Sequence, residues 1–101
     1  MASFINISGE TTQLLMSGLA VNSFGKISLA NVHADTACTV DLFVSHPNQG
    51  DFYLLKKVQL PVGATLIYND FNFREINGSF SLNIKLTKSA SEIPTVDVIL
   101  S

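Results

Sequence analysis

The chain has 101 residues, of which 47% are hydrophobic and only 14% are Asp, Glu, Lys or Arg. An ordinary soluble domain carries about 25% charged residues, so roughly ten charges are missing from this one. The hydrophobic fraction excludes intrinsic disorder, and the length fits one small domain but not two. We therefore expect residues 1–101 to form a single domain with a charge-poor surface.

Charge and hydropathy also exclude several kinds of partner. Six Lys and Arg residues against eight Asp and Glu residues give a formal net charge of −2 without a basic cluster, so we expect no nucleic acid partner. No apolar run approaches the roughly 18 residues of a membrane-spanning helix, so we expect no membrane partner either. The first residues show no basic stretch followed by an apolar one, and no secretory signal is predicted.

Alternation of apolar and polar residues predicts β-strands along the whole chain. The alternation is clearest in Cys38–Ser45, Phe80–Thr87 and Val96–Leu100, and weaker in the other segments. In chain order the predicted strands are Phe4–Ile7, Thr12–Met16, Lys26–Val32, Cys38–Ser45, Phe52–Leu60, Thr65–Tyr68, Phe80–Thr87 and Val96–Leu100. A short helix over Gln13–Asn22 is the alternative for the second strand, although Gly18 and the flanking β-forming residues disfavour it.

Gly, Pro and Asn residues mark turns between these segments. Examples are Pro47–Gly50 and Pro61–Gly63, and Asn77-Gly78 predicts a hairpin between Phe73–Ile76 and the strand that follows. About eight short antiparallel strands with polar turns predict an all-β fold, either a sandwich or a small barrel, and we favour an antiparallel β-sandwich. The sequence lacks the Cys–Trp–Cys pattern of antibody domains, and both an immunoglobulin-like and a jelly-roll-like topology remain open.

Few residues have the types and spacing that catalysis or metal binding requires. His33, Asp35 and Cys38 are the nearest to a nucleophilic constellation, but Cys38 shares the register of Val40 and is expected to fill the core. His33 and His46 lie at opposite ends of one predicted strand, too far apart to share a metal ion. The eight carboxylates are dispersed, and most lie at predicted turns or outward strand positions, where solvation accounts for them. We therefore expect no enzyme activity, no metal site and no cofactor.

Apolar side chains at outward or loop positions form the predicted contact surface. Phe43 lies between Asp41 and Ser45 at an outward strand position, and residues 1–34 contain only two charges. Protein interfaces favour aromatic residues and are depleted of charge, and exposed apolar strands favour a homo-oligomer or docking on a larger assembly. The alternative is that these side chains cover the edges of the chain's own core. The predicted interface residues are Phe4, Ile5, Leu15, Phe43, Tyr53, Phe71 and Phe73.

Five segments between Lys26 and Leu86 carry a resemblance to a known group of proteins. They are Ile27-Ser28-Leu29-Ala30-Asn31, Thr39-Val40-Asp41-Leu42-Phe43-Val44, Tyr53-Leu54-Leu55, Val58-Gln59-Leu60-Pro61-Val62-Gly63-Ala64-Thr65-Leu66 and Ser81-Leu82-Asn83-Ile84-Lys85. This stretch resembles small structural proteins of tailed bacteriophages. The resemblance implies a compact, non-enzymatic β-sandwich of the virion, assembled in the host cytoplasm. Its implied partners are further copies of itself, the major capsid protein or another virion protein.

Three functions follow from these expectations. The favoured one is a capsid decoration or cement subunit that bridges neighbouring shell proteins. The first alternative is a tail, neck or fibre component of the same architecture. The second alternative is a carbohydrate- or cell-surface-binding module that stacks its ligand on Tyr53, Tyr68, Phe71 and Phe73.

Overall fold

A computed structural model of the chain describes residues 3–18, 24–88 and 93–101. Within these residues the chain forms eight strands, and each predicted strand overlaps one of them, so the all-β prediction is confirmed. The strands are β1 (Ser3–Ser8), β2 (Thr12–Ser17), β3 (Ile27–Asn31), β4 (Cys38–His46), β5 (Gly50–Leu60), β6 (Thr65–Tyr68), β7 (Ser81–Lys88) and β8 (Thr95–Leu100). A short 3-10 helix, Phe73–Glu75, precedes β7. In this described part, no helix has the length and apolar character needed to cross a membrane.

The strands form two four-stranded sheets, each antiparallel throughout. Sheet 1 has the order β1-β8-β3-β6, and sheet 2 has the order β2-β7-β4-β5. The pairs are nested: β4 with β5, then β3 with β6, β2 with β7, and β1 with β8. The chain is thus folded in half at the β4–β5 turn and rolled so that successive pairs alternate between the sheets. This arrangement is a jelly roll, which decides between the two topologies that the sequence left open.

The core lies between the sheets and follows the predicted alternation. In β4, Val40 and Leu42 point inward and are fully buried, and Cys38 shares their register and their burial. In β8, Val96 and Val98 are likewise fully buried. The largest fully buried side chains are Phe73, Ile27, Leu29, Leu42, Ile76, Leu82, Ile84, Leu86, Leu100, Val40, Val96 and Val98.

A buried polar side chain, Asn31, joins two connections at the end of β3. Its Nδ2 donates hydrogen bonds to the carbonyl oxygens of Leu60 at 2.9 Å and Thr36 at 3.1 Å. Its Oδ1 accepts the backbone N–H of His33 at 3.0 Å. Because burying an amide is costly unless it is hydrogen-bonded, this set of bonds explains an Asn at the end of an otherwise apolar strand.

The structure corrects two local expectations. The hairpin predicted at Asn77-Gly78 is wrong, because residues 73–75 form a 3-10 helix that places Phe73 and Ile76 in the core. The Asn77 carbonyl accepts the Phe80 N–H at 3.1 Å, so the turn is real but leads from a helical turn into β7. The helix considered over Gln13–Asn22 is replaced by β2 up to Ser17, and residues 19–23 lie outside the described residues.

Candidate interaction surfaces

The residues nearest to a catalytic constellation organise a turn. Nδ1 of His33 accepts the backbone N–H of Asp35 at 3.2 Å and of Thr36 at 3.1 Å. Both bonds make this nitrogen a hydrogen-bond acceptor, and it also lies 3.3 Å from Oδ1 of Asp35. Cys38 is fully buried, and burial raises the pKa of its thiol above the ordinary value. These groups therefore hold a loop and fill the core, and the geometry activates no nucleophile among them.

His46 has a similar role at the other end of β4. Its Nδ1 accepts the backbone N–H of Asn48 at 3.1 Å within the β4–β5 turn, and its ring packs on Phe80 at 4.7 Å. Among the residues that the structure describes, no group of three or more His, Cys, Asp or Glu side chains is placed to hold a metal ion.

The seven predicted interface residues are scattered over three environments. Phe4 and Tyr53 are 74% and 45% exposed. Ile5 and Phe71 are half-buried, whereas Leu15, Phe43 and Phe73 are buried.

Two of these placements are corrections. Leu15 lies at a register shift in β2, where it and Met16 both turn inward and join the core. Phe73 is fully buried, because the 3-10 helix directs its ring into the end of the sandwich. The ring of Phe71 packs edge-on against it at a centroid distance of 5.3 Å. Leu15 and Phe73 are therefore core residues that a partner cannot reach.

Phe43 points away from the core, as predicted, but its own chain covers it. Its ring lies 5.2 Å from the ring of Tyr53 on the neighbouring strand, and only 8% of Phe43 remains exposed. The Lys56 ammonium in turn lies 4.0 Å above the Tyr53 ring. The accessible ring on this outer face of sheet 2 is therefore Tyr53, with a cation beside it.

The outer face of sheet 1 has a different character, because its four strands contain a single charged residue, Asp97, against six in the strands of sheet 2. Strand register places Phe4, Ile99, Ser28 and Ile67 in one row across the four strands. Phe4 is 74% exposed and Ile67 57% exposed. We call these four residues, of which Ser28 is the polar member, the apolar row.

A second row of sheet 1 runs beside the apolar row and contains a hydrogen-bonded carboxylate. It consists of Asn6, Asp97, Ala30 and Thr65 in register. Nδ2 of Asn6 donates a 2.6 Å hydrogen bond to Oδ1 of Asp97, the charge on this face. A shallow depression of about 330 Å³ lies where β1 meets β8. Sequence reasoning found Phe4 but missed Ile67 and Ile99, which only the pairing of distant strands brings together.

An aromatic cleft opens where β4 and β5 of sheet 2 meet the segment 71–80. It has a volume of about 260 Å³ and is lined by Val44, Phe52, Leu54, Phe71, Glu75 and Phe80. Three aromatic rings and one exposed carboxylate give it the character of a site for a flat or apolar ligand group. Of its lining, only Phe71 was predicted as a functional residue.

Comparisons with known proteins find a solved structure of similar fold. No protein-family model matches the sequence, and no curated protein matches it. Among solved structures, the chain is similar to the Yersinia pseudotuberculosis-derived mitogen (YPM) with a TM-score of 0.58. The two are 12% identical, and the match covers 100% of this chain and 85% of that one. At this identity the likeness shows a common β-sandwich architecture.

Proposed function

We propose that this protein is a non-enzymatic structural subunit of a bacteriophage virion, a capsid decoration or cement protein that bridges neighbouring shell proteins. The observation that carries the proposal is the apolar row on a sheet with one charged strand residue. Soluble proteins that work alone seldom keep contiguous apolar patches larger than a few hundred Å² in water. A covering partner is the physical reason to retain Phe4 and Ile67 at this surface.

Two further observations support a virion subunit. The stretch Lys26–Leu86 resembles small structural proteins of tailed bacteriophages, and it spans β3 to β7 in the structure. The jelly roll is an architecture that viral capsid domains use, as do lectin domains. The proposed partner is therefore the major capsid protein, and the proposed location is the virion, assembled in the host cytoplasm.

The proposed mechanism is geometric. The two sheets enclose a core of fully buried side chains, and the strands of sheet 1 carry a single charged residue, Asp97. A partner that covers the outer face of sheet 1 removes water from the Asp97 carboxylate. The cost of that desolvation is reduced, because the hydrogen bond from Asn6 to Asp97 is retained. Each exposed apolar side chain contributes on the order of 1.5–3 kcal/mol when buried, before the costs of association. Single contacts are therefore weak, and many subunits on one shell add up through multivalency.

The test measures the copy number of the chain in purified particles and then its docking face. Quantitative mass spectrometry should find copies in the hundreds for a shell protein, and on the order of ten for a tail or neck part with ring symmetry.

Recombinant Ile67→Ser should rebind stripped particles at least tenfold more weakly, since truncating an interface anchor commonly costs about 2 kcal/mol or more. Tyr53→Ser, on the outer face of sheet 2, is the matched control and should rebind normally. Absence of the chain from particles would overturn the proposal, and equal effects of both variants would overturn the assigned face.

A second candidate function, carbohydrate or cell-surface binding, is favoured by the aromatic cleft. The four residues expected to form its stacking platform do not share one exposed surface, although Phe71 and Phe73 are in contact. Tyr53 lies on the outer face of sheet 2, Tyr68 packs against the core, and Phe73 is buried. Phe71 remains, and in the cleft it is joined by Phe52 and Phe80.

Titration with a panel of sugars, followed by NMR, tests this candidate. Stacking on an aromatic face contributes about 0.5–1.5 kcal/mol beyond the buried area, so Phe52→Ala should weaken binding severalfold. Phe4→Ala, on sheet 1, should leave binding unchanged. If no sugar shifts the resonances of the cleft residues, carbohydrate binding at the aromatic cleft is excluded.

A further inference from the structure

The four edge strands of the sandwich are not equally protected against pairing with another strand. β5 carries two register shifts and the pair Lys56-Lys57, β2 carries one shift, and β6 has four residues. Irregularity, charge and shortness all discourage edge-to-edge pairing. β1 has none of these features: its six residues pair with β8 in unbroken register and include no charged residue and no Pro. β1 is therefore the unprotected edge in the described part of the chain.

Backbone hydrogen bonds at the ends of sheet 1 show which groups of β1 face the free side. Gly9 donates its N–H to the Pro94 carbonyl at 2.9 Å, directly in line with the β1–β8 register. On the other side of β8, Lys26 and Ser101 exchange bonds of 3.0 and 3.1 Å. Since residues of an antiparallel pair alternate between bonded and non-bonded positions, odd-numbered residues of β1 bond β8. The N–H and C=O groups of Phe4, Asn6 and Ser8 consequently point away from the sheet.

We propose that two copies of this chain pair antiparallel through β1, about a two-fold axis at Asn6. In this register Asn6 faces Asn6 of the second copy, and Phe4 faces Ser8 of the second copy. Each of these three facing pairs exchanges two N–H···O bonds, so the outward groups of both strands are all satisfied. The two four-stranded sheets become one eight-stranded sheet.

Side chains fit the same register. On the inner side, Ile5 of one copy meets Ile7 of the other at the closer, non-bonded positions, and half-buried Ile5 is thereby covered. The strand has no charge to repel its copy, and the apolar rows of the two subunits lie on one continuous face. A second copy is the occupant we infer, because β1 is complementary to itself and isologous contacts close without forming fibres. The inference depends on β1 alone and does not require the virion assignment.

Disulfide trapping tests the register. In Asn6→Cys the two introduced thiols face each other across the axis, where Cα atoms of a bonded pair lie about 5.5 Å apart, within disulfide range. Thr65→Cys is the matched control, because Thr65 occupies the same cross-sheet row at the opposite edge. The native thiol, Cys38, is buried and does not compete. Under mild oxidation Asn6→Cys should form dimers at least tenfold faster than Thr65→Cys, and equal rates would overturn the pairing.

Sedimentation tests the association itself. The wild-type chain should show a concentration-dependent monomer–dimer equilibrium up to high micromolar concentration. Ser8→Pro removes two of the new bonds but none to β8, so it should weaken the dimer by roughly tenfold or more and leave the thermal unfolding midpoint nearly unchanged. If the wild-type chain stays monomeric throughout this concentration range, the proposal is overturned. Pairing of β1 with a strand of another protein would then be the alternative. A folded Ser8→Pro dimer of undiminished affinity would overturn it as well. Particle binding is measured separately, so failure here and failure of the virion proposal give different results.

Discussion

The backbone N–H of Lys57 donates a 2.6 Å hydrogen bond to Oδ1 of Asp41 across the β4–β5 pair. Two residues of β5, Lys56 and Lys57, stand opposite Asp41 here, and Lys57 has a φ of 52°. Asp41 is only 7% exposed, although it lies on an outer sheet face. The carboxylate therefore holds the bulge in β5, and the expectation that solvation accounts for this Asp is wrong.

Asp41→Ala should lower the free energy of unfolding by about 1–3 kcal/mol, because the Lys57 N–H loses its acceptor in a partly buried hydrogen bond. Asp41→Asn keeps a carbonyl oxygen at the same place and should cost less than half as much. Urea unfolding of both variants measures the difference. Equal losses would show that the charge of Asp41, and not its acceptor oxygen, stabilises the bulge.

Lys57→Gly should stabilise the protein by about 1 kcal/mol. A non-glycine residue held in the left-handed region costs on the order of 1–3 kcal/mol, and glycine avoids this at a smaller entropic cost. Lys56→Gly is the control, because Lys56 has no positive φ and its ammonium packs on Tyr53. That variant should lose about 0.5–1 kcal/mol or more in the same unfolding experiment. A loss of stability in Lys57→Gly would contradict the strain argument.

The eight strands could be predicted because the alternation of apolar and polar residues is a local property, which each segment shows without reference to the rest of the chain. The jelly roll could not be told from an immunoglobulin-like sandwich, because the difference depends on which distant strands pair. Asn6 and Asp97, which are hydrogen-bonded, stand 91 positions apart in the chain. Nothing local to either residue specifies that contact.

The candidate surfaces were predictable only in part for the same reason. Ile67 and Ile99 are ordinary outward residues within their own strands, and only the register of sheet 1 aligns them with Phe4. Phe73 was misplaced because its Asn- and Asp-rich surroundings predict an exposed loop. A loop ring enters the core only when a specific turn directs it there, as the 3-10 helix does here.

Leu82→Ala should destabilise the fold by roughly 2–5 kcal/mol, because Leu82 is fully buried between the sheets and its removal leaves a closed cavity. Phe43→Ala should cost less, about 1–2 kcal/mol, because Phe43 lies on the outer face of sheet 2 and outside the central cluster, although it is buried and its ring contact with Tyr53 is lost. Chemical denaturation of the two variants under the same conditions provides the comparison. If Phe43→Ala proves as damaging as Leu82→Ala, the outer face of sheet 2 is a second core.

Stability should fall in alkaline solution because of Cys38. Burial raises the pKa of this thiol, whereas the unfolded chain ionises near pH 8.5. Above that pH the unfolded chain has released a proton that the folded chain still holds, so the free energy of unfolding decreases until the folded pKa is reached. The decrease is at most about 1.4 kcal/mol per pH unit.

Cys38→Ala provides the control for this pH dependence. At neutral pH it should be less stable than wild type by about 1 kcal/mol, because the missing sulfur leaves a small cavity. One pH unit above the ordinary thiol pKa the gap should narrow, since the variant has no thiol to ionise. A constant gap, or rapid labelling of native Cys38 by a thiol reagent, would contradict its burial.

Gly18→Ala should destabilise the protein by about 1–3 kcal/mol through overpacking. A Cβ on Gly18 would lie closer to the backbone of Asn77, Gly78 and Phe80 than Cβ atoms tolerate, and Gly18 also donates its N–H to the Phe80 carbonyl at 2.7 Å. These neighbours are backbone atoms of a turn, so no side chain can rotate to make room. Gly25→Ala is the matched control, because a Cβ there meets nothing within 4 Å and the φ is not positive. It should be neutral or stabilising by about 0.4–1 kcal/mol in thermal unfolding, and equal behaviour of the two variants would show that the 77–80 turn does not pack against Gly18.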